Sequence, residues 1–285
     1  MTTPHVLVLS GLGINCERET AAAFRLAGAT ADIIHINALC ANTAPLREAQ
    51  ILAFPGGFSF GDRLGAGQAL ANRIRHRKLP NGQTLLGELV RFVETGGFVL
   101  GICNGFQILA KLGLVPNTGG NCIQEVALAE NASARFENRW CHLALTQEGP
   151  MGFFAHLGQI ELPARHGEGR LIFRDETVRQ AVIDQSLDWL TYSMADGSPA
   201  AGFPENPNGA DLACAGLSDP TGRVIGLMPH PEAYVSPYTH YDWPRRRREG
   251  RNMIHEGDGL RFIRTLVRLS TQGASPALDR SREEL

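Results

Sequence analysis

GFVLGICNGFQIL, residues 97–109, decides the fold of this chain. It begins with a short apolar run, Phe98 to Leu100, which predicts the end of a buried strand. A helix is predicted immediately afterwards, because apolar residues recur at the spacing that one helix face buries. These residues are Phe106, Ile108, Leu109 and Leu112. Cys103 is therefore expected at the turn between a strand and a helix.

Cys103 has a glycine two residues away on either side, Gly101 and Gly105. Small neighbours allow a sharp turn that holds the central side chain up, as in a nucleophile elbow. The first N–H groups of the helix favour the thiolate, which is the reactive form. We therefore predict a cysteine nucleophile at this position. The other cysteines are interpreted as small apolar residues. They are Cys16, Cys40, Cys122, Cys141 and Cys214.

Composition limits the class of protein. The chain has 285 residues, of which 43% are hydrophobic, so it can bury a full core as one domain with insertions. Its net charge of -2 provides no global field for nucleic acid. No C-x-x-C pair indicates a zinc site, and no disulfide framework is evident. The N-terminal apolar run is too short for a signal peptide or membrane span, so we expect a soluble cytoplasmic protein.

Strand and helix patterns alternate through the first part of the chain, which predicts an α/β sandwich on a mostly parallel sheet. Strands are predicted at 6–9, 31–36, 51–54 and 224–228. Helices are predicted at 17–27, 65–78, 84–95 and 259–269. Residues 118–162 suggest short β-hairpins instead. Ligands of such sheets bind at the carboxyl ends of strands, where Gly56-Gly57 and Cys103 both lie.

Pro229-His230-Pro231-Glu232 supplies what a cysteine nucleophile needs. Both prolines favour extended backbone, in which residues two apart face the same way. His230 and Glu232 can therefore stand side by side as a base and the carboxylate that orients it. The alternative is an exposed loop histidine beside a solvated acid.

The Gly56-Gly57 turn offers backbone N–H groups without side-chain shielding. Together with the N–H of Asn104, the N–H of Gly57 could form an oxyanion hole for a tetrahedral intermediate. An ordinary strand-to-loop turn is the alternative interpretation.

Six motifs follow one another along the chain: NCERE (15–19), PGGFSFGD (55–62), GICNGFQ (101–107), HGEGR (166–170), NPNG (206–209) and GLMPHPE (226–232). In this order they resemble the glutaminase subunits of phosphoribosylformylglycinamidine synthase, a family of class I glutamine amidotransferases in purine biosynthesis. The resemblance covers most of residues 6–232. It implies a flavodoxin-like fold with a small β-rich insertion, and a Cys103, His230 and Glu232 triad that releases ammonia from glutamine.

The same resemblance implies that the ammonia passes to a separate synthetase subunit, which uses ATP and magnesium; no cofactor or metal is expected in this chain. Two compositions stay open, with or without a small accessory subunit. Further residues are implied as contacts to the substrate or the partner. They are Gly56, Phe58, Gln107, His166, Glu168, Arg170, Asn206 and Asn208. For the HGEGR run, a phosphate site and a solvated loop are the alternatives.

The domain is expected to span residues 1–270, with insertions near 118–160 and 234–256 and a mobile tail at 271–285. Arg245 to Arg248 are interpreted as a solvated or interface patch. Two rival functions stay open: a cysteine hydrolase or stress-response protein on the same elbow, and a non-catalytic interaction subunit. A metal hydrolase is disfavoured, because the histidines lack the spacing of a zinc motif.

Overall fold

The computed structural model describes residues 3–249 and 256–272. Within these ranges the strands are β1 His5–Ser10, β2 Thr30–His35, β3 Ile51–Phe54, β4 Phe98–Ile102, β5 Val126–Glu130, β6 Glu137–Leu145, β7 Ile160–His166, β8 Glu168–Phe173, β9 Leu190–Ser193, β10 Cys214–Ser218 and β11 Val224–Leu227. The helices are α1 Glu17–Leu26, α2 Ile36–Ala41, α3 Ala44–Glu48, α4 Gln68–His76, α5 Leu85–Glu94, α6 Asn104–Lys111, α7 Glu176–Asp184, α8 Trp243–Arg248 and α9 Asp258–Gln272.

A nine-stranded sheet forms the centre of the molecule, in the order β2-β1-β3-β4-β11-β10-β9-β6-β7. The first five strands pair in parallel, and the remaining pairings are antiparallel. The predicted α/β class is therefore confirmed. Strands β3 and β4 are buried along their whole length, as expected where helices cover both faces.

The order of the parallel strands determines where the site lies. Strand β4 is hydrogen-bonded to β3 on one side and to β11 on the other. The turns that follow these three strands carry Cys103, Gly56-Gly57 and the Pro229–Glu232 segment. Because the strands are parallel, all three turns emerge at the same edge of the sheet.

The second half differs from the predicted hairpins. Strand β6 pairs with β7 and β9 and extends the central sheet, whereas β5 pairs with β8 in a separate two-stranded ribbon. The chain therefore passes from one sheet to the other between His166 and Glu168. The HGEGR run lies mainly on strands, so it is not a solvated loop. Hydrophobic pattern alone could not choose these partners, since they are distant in sequence.

The four consecutive arginines all lie on a short helix, α8, and have different surroundings. Arg245 contacts Asp242, and Arg246 contacts Glu161 on β7. Arg247 and Arg248 are exposed. Half of the cluster is therefore engaged within the protein, and its role as an interface patch stays a prediction.

The described helices include none that is both long enough and apolar enough to cross a membrane. The proposed insertions stay predictions; residues 118–160 contain β5 and β6, and the described part of 234–256 contains α8. Of the predicted tail, residues 273–285 lie outside the described residues.

Candidate active site

Cys103 occupies the turn between β4 and α6 with a positive φ of 51°. Its N–H donates to the carbonyl of Leu227 on β11 at 2.8 Å, so the turn is fixed to the neighbouring strand. The flanking glycines are required by close packing. A Cβ on Gly105 would lie 1.9 Å from the carbonyl oxygen of Phe54, and one on Gly101 would lie 2.6 Å from Leu109. The predicted elbow conformation is present.

The sulfur of Cys103 lies in a nearly closed environment, since the residue is only 6% exposed. It contacts the carbonyl oxygen of Arg165 on β7 at 3.6 Å. Its position immediately before α6 also places it at a helix N-terminus, where negative charge is favoured. The surroundings thus hold the sulfur in a fixed position at the start of a helix.

His230 and Glu232 stand side by side after β11, as the extended Pro-His-Pro-Glu pattern predicts. Nδ1 of His230 lies 2.6 Å from Oε1 of Glu232, and both residues are 5% exposed. The backbone is held by β7, because the His230 N–H donates to the carbonyl of Pro163 at 2.8 Å. With Nδ1 occupied, Nε2 is the nitrogen left to exchange a proton with a sulfur.

Two opposing effects act on the pKa of His230. Burial disfavours the charged imidazole, whereas the Glu232 carboxylate and the nearby Cys103 favour it. The charges prevail and raise the pKa of His230 well above its usual value. An imidazolium beside a thiolate is the charge arrangement that a cysteine nucleophile needs.

The Gly56-Gly57 turn packs against the loop that follows β1. Gly56 accepts from the N–H of Asn15, and the N–H of Phe58 donates to Gly13. These bonds do not use the N–H of Gly57. Gly57 has a φ of 148°, and a Cβ there would lie 2.6 Å from the Gly13 carbonyl oxygen, so only glycine fits.

Asn104 is fully buried and joins this turn to α6. Its side-chain oxygen accepts from the N–H of Ser59 at 3.1 Å, and its amide nitrogen donates to Gln107 at 2.9 Å. Gln107 donates in turn to the carbonyl of Glu168. The side-chain amides of Asn104 and Gln107 therefore connect the segment after Gly57, helix α6 and strand β8. These hydrogen bonds do not use the backbone N–H of Asn104, which follows Cys103 in the elbow.

A pocket of about 250 Å³ opens over these groups. Its lining residues are Asn15, Cys16, Glu19, Gly57, Phe58, Cys103, Phe136, Arg165, His230, Glu232 and Ala233. The proposed triad and two further candidates, Gly57 and Phe58, thus share one cavity. Gly56 lies directly below it, because a Cβ there would come within 2.8 Å of the His230 ring.

The other residues predicted as substrate or partner contacts do not line this pocket. His166 is 2% exposed, and Glu168 points away, accepting from the N–H of Ala66 at 3.0 Å. Arg170 is half-buried, and its Nε has no hydrogen-bond partner among the described residues. Their roles as substrate or partner contacts stay predictions.

Asn206 and Asn208 are buried and form a turn. Asn206 donates to the carbonyl of Ala210 and accepts from its N–H. Asn208 donates to both Nε2 of His166 and the hydroxyl of Tyr192, each at 3.1 Å. The side chains of Asn206 and Asn208 therefore form hydrogen bonds within the protein. Their direct contact with a substrate or partner stays a prediction.

Six residues of the pocket are not among the site residues that the sequence predicts: Asn15, Cys16, Glu19, Phe136, Arg165 and Ala233. Cys16 fits the pattern of a small apolar residue, but it is half-buried and lies beside the His230 ring. Arg165 stands out in the sequence only as a charge preceding the HGEGR run. The available signal is the NCERE motif, whose position after β1 places it at the same sheet edge as Cys103.

Comparisons with known proteins show the family of this chain. The family model described as CobB/CobQ-like glutamine amidotransferase domain matches residues 3–265. The phosphoribosylformylglycinamidine synthase subunit PurQ of Dehalococcoides mccartyi is 41% identical, over 95% of this chain and 100% of the relative. The subunit of the same name from Methanococcus maripaludis is 43% identical, over 80% of this chain and 82% of the relative.

Solved structures show the same fold. The structure of PurLQS from Thermotoga maritima matches with a TM-score of 0.65 and 25% identity, covering 94% of this chain and 100% of that one. A glutamine amidotransferase from the same organism has a TM-score of 0.51 at 16% identity, covering 95% of this chain and 99% of that one. The chain therefore belongs to the glutamine amidotransferase family, and within it to the PurQ subunits of phosphoribosylformylglycinamidine synthase.

Proposed function

We propose that this chain hydrolyses glutamine through Cys103, His230 and Glu232 and delivers the ammonia to a synthetase that makes phosphoribosylformylglycinamidine. The observation that carries the proposal is the 2.6 Å contact between His230 and Glu232 in the same pocket as an elbow cysteine. A nucleophile, a base and the group that orients the base are thus present together.

The reaction proceeds in two steps. The thiolate of Cys103 attacks the side-chain carboxamide carbon of glutamine, and the N–H groups of Gly57 and Asn104 stabilise the oxyanion. His230 donates its proton to the departing nitrogen, so that ammonia leaves and a thioester remains. Water, deprotonated by His230, then attacks the thioester and releases glutamate. Glu232 holds the imidazole and stabilises its charged form throughout.

The pocket also suits the rest of a glutamine molecule. Arg165 and Glu19 both line it, and they provide one cation and one anion near the nucleophile. We assign Arg165 to the α-carboxylate and Glu19 to the α-ammonium group of the substrate. Charge-assisted hydrogen bonds of this kind fix the orientation of a small zwitterion.

The partner follows from the family. The relatives are named as subunits of phosphoribosylformylglycinamidine synthase, and the Thermotoga structure is named PurLQS. We propose a complex with the corresponding synthetase subunit, which binds ATP and magnesium and consumes the ammonia, with a small accessory subunit as a further component. All six cysteines of the chain are free, as suits a reducing cytoplasm.

The test is covalent labelling with 6-diazo-5-oxonorleucine, an electrophilic glutamine analogue, applied to the chain in complex with its synthetase. We expect a single adduct on Cys103 by intact-mass analysis and peptide mapping, and excess glutamine should prevent it. Cys103→Ala should lose the adduct and lower glutaminase turnover by about 10³-fold or more. Cys122→Ala, at a half-buried thiol outside the pocket, should retain both.

Three results would contradict the proposal. Glutaminase turnover retained by Cys103→Ala would exclude the mechanism. An unlabelled Cys103 in a complex that forms stoichiometrically would favour the non-catalytic interaction subunit. Labelling that glutamine does not prevent would favour the rival cysteine hydrolase.

A further inference from the structure

Cys16 brings a second thiol to the proposed catalytic pair. The Cys16 sulfur, a ring nitrogen of His230 and a carboxylate oxygen of Glu232 all lie within 4.8 Å of one another. The absence of a side chain at Gly56 permits this approach, since a Cβ there would lie 3.3 Å from the sulfur and 2.8 Å from the His230 ring. The Cys16 backbone is fixed by its N–H, which donates to the Gly56 carbonyl at 3.3 Å.

The cluster formed by Cys16, His230 and Glu232 is not saturated with hydrogen bonds. Oε2 of Glu232 is a buried atom without a hydrogen-bond partner in the described part of the chain. The Cys16 thiol contacts the side-chain oxygen of Asn15 at 3.4 Å and also interacts with the His230 ring. An unsatisfied buried polar atom is costly, so such a cluster is suited to hold something more than it holds within the chain.

We propose that Cys16, His230 and Glu232 form a reversible inhibitory site for Zn²⁺. This inference rests on the proposed function in one respect, that occupancy of His230 stops glutamine hydrolysis. Thiolate, imidazole and carboxylate are the three ligand types that protein zinc sites combine. The donor set carries two negative charges when Cys16 is deprotonated, and these balance the charge of the ion.

The distances allow the ion to bind after a small adjustment. Zinc bonds of about 2.0 to 2.3 Å place tetrahedral ligand atoms roughly 3.3 to 3.8 Å apart. Nδ1 of His230 and Oε1 of Glu232, which are 2.6 Å apart in a hydrogen bond, therefore move apart by about 0.7 Å to admit the ion, and the Cys16 sulfur, within 4.8 Å of both groups, moves inward by about 1 Å at most. Cys16 is half-buried and lines the pocket, so the ion reaches the donors from solvent, and a water molecule completes the tetrahedron.

Binding of the ion separates the catalytic groups. Zinc replaces the thiol proton of Cys16 and the proton shared by His230 and Glu232, and both protons are released to solvent. His230 can then neither accept the proton of Cys103 nor donate one to ammonia. Glutaminase activity stops and returns when a chelator removes the ion.

The test measures zinc affinity directly, by competition with a chromogenic chelator, on tag-free chain. We expect one Zn²⁺ per chain, with at least about tenfold weaker binding in Cys16→Ser, because a hydroxyl is a poor zinc ligand. Cys122→Ser is the matched control, since it removes a half-buried thiol outside the pocket and should leave affinity unchanged. Cys103→Ala should also retain zinc, which separates this proposal from the glutaminase mechanism.

A second measurement uses the unaltered chain and does not depend on a variant folding. Zinc should protect Cys16 from alkylation by iodoacetamide, as followed by peptide mapping, while the modification of Cys122 proceeds as before. Unchanged zinc affinity in folded Cys16→Ser, or unprotected alkylation of Cys16 at saturating zinc, would overturn the proposal. Zinc binding without inhibition of turnover would place the ion elsewhere and overturn it as well.

Discussion

Two histidines at the centre of this protein are equally buried and yet differ in charge. His230 is 5% exposed and His166 is 2% exposed. The pKa of His230 is raised well above its usual value, whereas burial lowers the pKa of His166 to about 3, with the charge of His230 contributing. The difference teaches that the partner of a buried imidazole, rather than its burial, decides whether it carries a proton.

The partners differ in kind. His230 faces a carboxylate, Glu232, which stabilises a positive ring. His166 faces the amide of Asn208, whose oxygen already accepts from the N–H of Ala210 at 3.1 Å. The Asn208 amide nitrogen must therefore donate to Nε2 of His166, so the ring is neutral and its proton lies on Nδ1. One histidine is equipped to transfer protons and the other to stay uncharged.

Removing the carboxylate tests the first half of this comparison and should have the largest effect. We expect Glu232→Gln to lower kcat for glutamine hydrolysis by about 10³- to 10⁴-fold, because the imidazole loses both its orientation and the charge that stabilises its protonated form. Steady-state kinetics of the complex with its synthetase would measure this change.

The control for that experiment is Glu176→Gln, which neutralises an exposed acid on α7 and should leave kcat unaltered. Because glutamine preserves the size of Glu232, the cost should appear in turnover more than in folding. A Glu232→Gln chain that keeps kcat within a factor of about three would show that the 2.6 Å contact orients nothing of catalytic importance.

The second prediction concerns His166 and stability. The pKa of His166 is lowered to about 3 in the folded chain, so between that pH and about 6.5 the unfolded chain binds the extra proton. Stability that is present at pH 7 is therefore lost as the pH falls, by about 2 kcal/mol on going to pH 5. In His166→Gln the side chain cannot titrate, and this part of the pH dependence should disappear.

Urea unfolding at pH 7 and pH 5 would measure the effect as a difference between variant and parent. Gln is chosen because its side-chain oxygen can still accept from Asn208. His76→Gln, at a histidine in the last turn of α4, should keep the parent's pH dependence. If His166→Gln lost as much stability between the two pH values as the parent does, His166 would have to be protonated in the folded protein at pH 5.

The contrast between the two histidines also marks how far local sequence pattern predicts the site. The elbow at Cys103 and the pairing of His230 with Glu232 depend on residues within a few positions of each other, where extended or helical backbone fixes geometry. The fold class follows from strand and helix patterns of the same local kind. Both can therefore be predicted from the amino-acid sequence alone.

The environment of His166 and the position of Cys16 cannot be predicted in this way. His166 meets Asn208 and Tyr192 only because β7, β6 and β9 are neighbours in the sheet, and their register is set by distant contacts. Cys16 reaches His230 across the missing side chain of Gly56. Such contacts depend on tertiary packing, which no spacing along the chain records.

Removing the Tyr192 hydroxyl is the substitution with the smallest expected effect, and it tests which contacts keep His166 neutral. Its hydroxyl is fully buried and accepts from Asn208 at 3.1 Å, at the far end of the network from His166. We expect Tyr192→Phe to cost about 1 kcal/mol in the free energy of unfolding, the usual net value of one buried hydrogen bond. The cost should be the same at pH 7 and pH 5, because Asn208 still donates to His166 and the ring stays buried.

Tyr241→Phe is the matched control, since Tyr241 is 71% exposed and its hydroxyl should contribute nothing measurable. If Tyr192→Phe changed the pH dependence by more than about 0.5 kcal/mol, the whole hydrogen-bonded network would be holding His166 neutral. A constant cost instead assigns the neutral ring to burial and to the immediate amide partner. The charges of Glu232 and Cys103 beside His230 are then the local difference that makes one buried imidazole a base and leaves the other a structural residue.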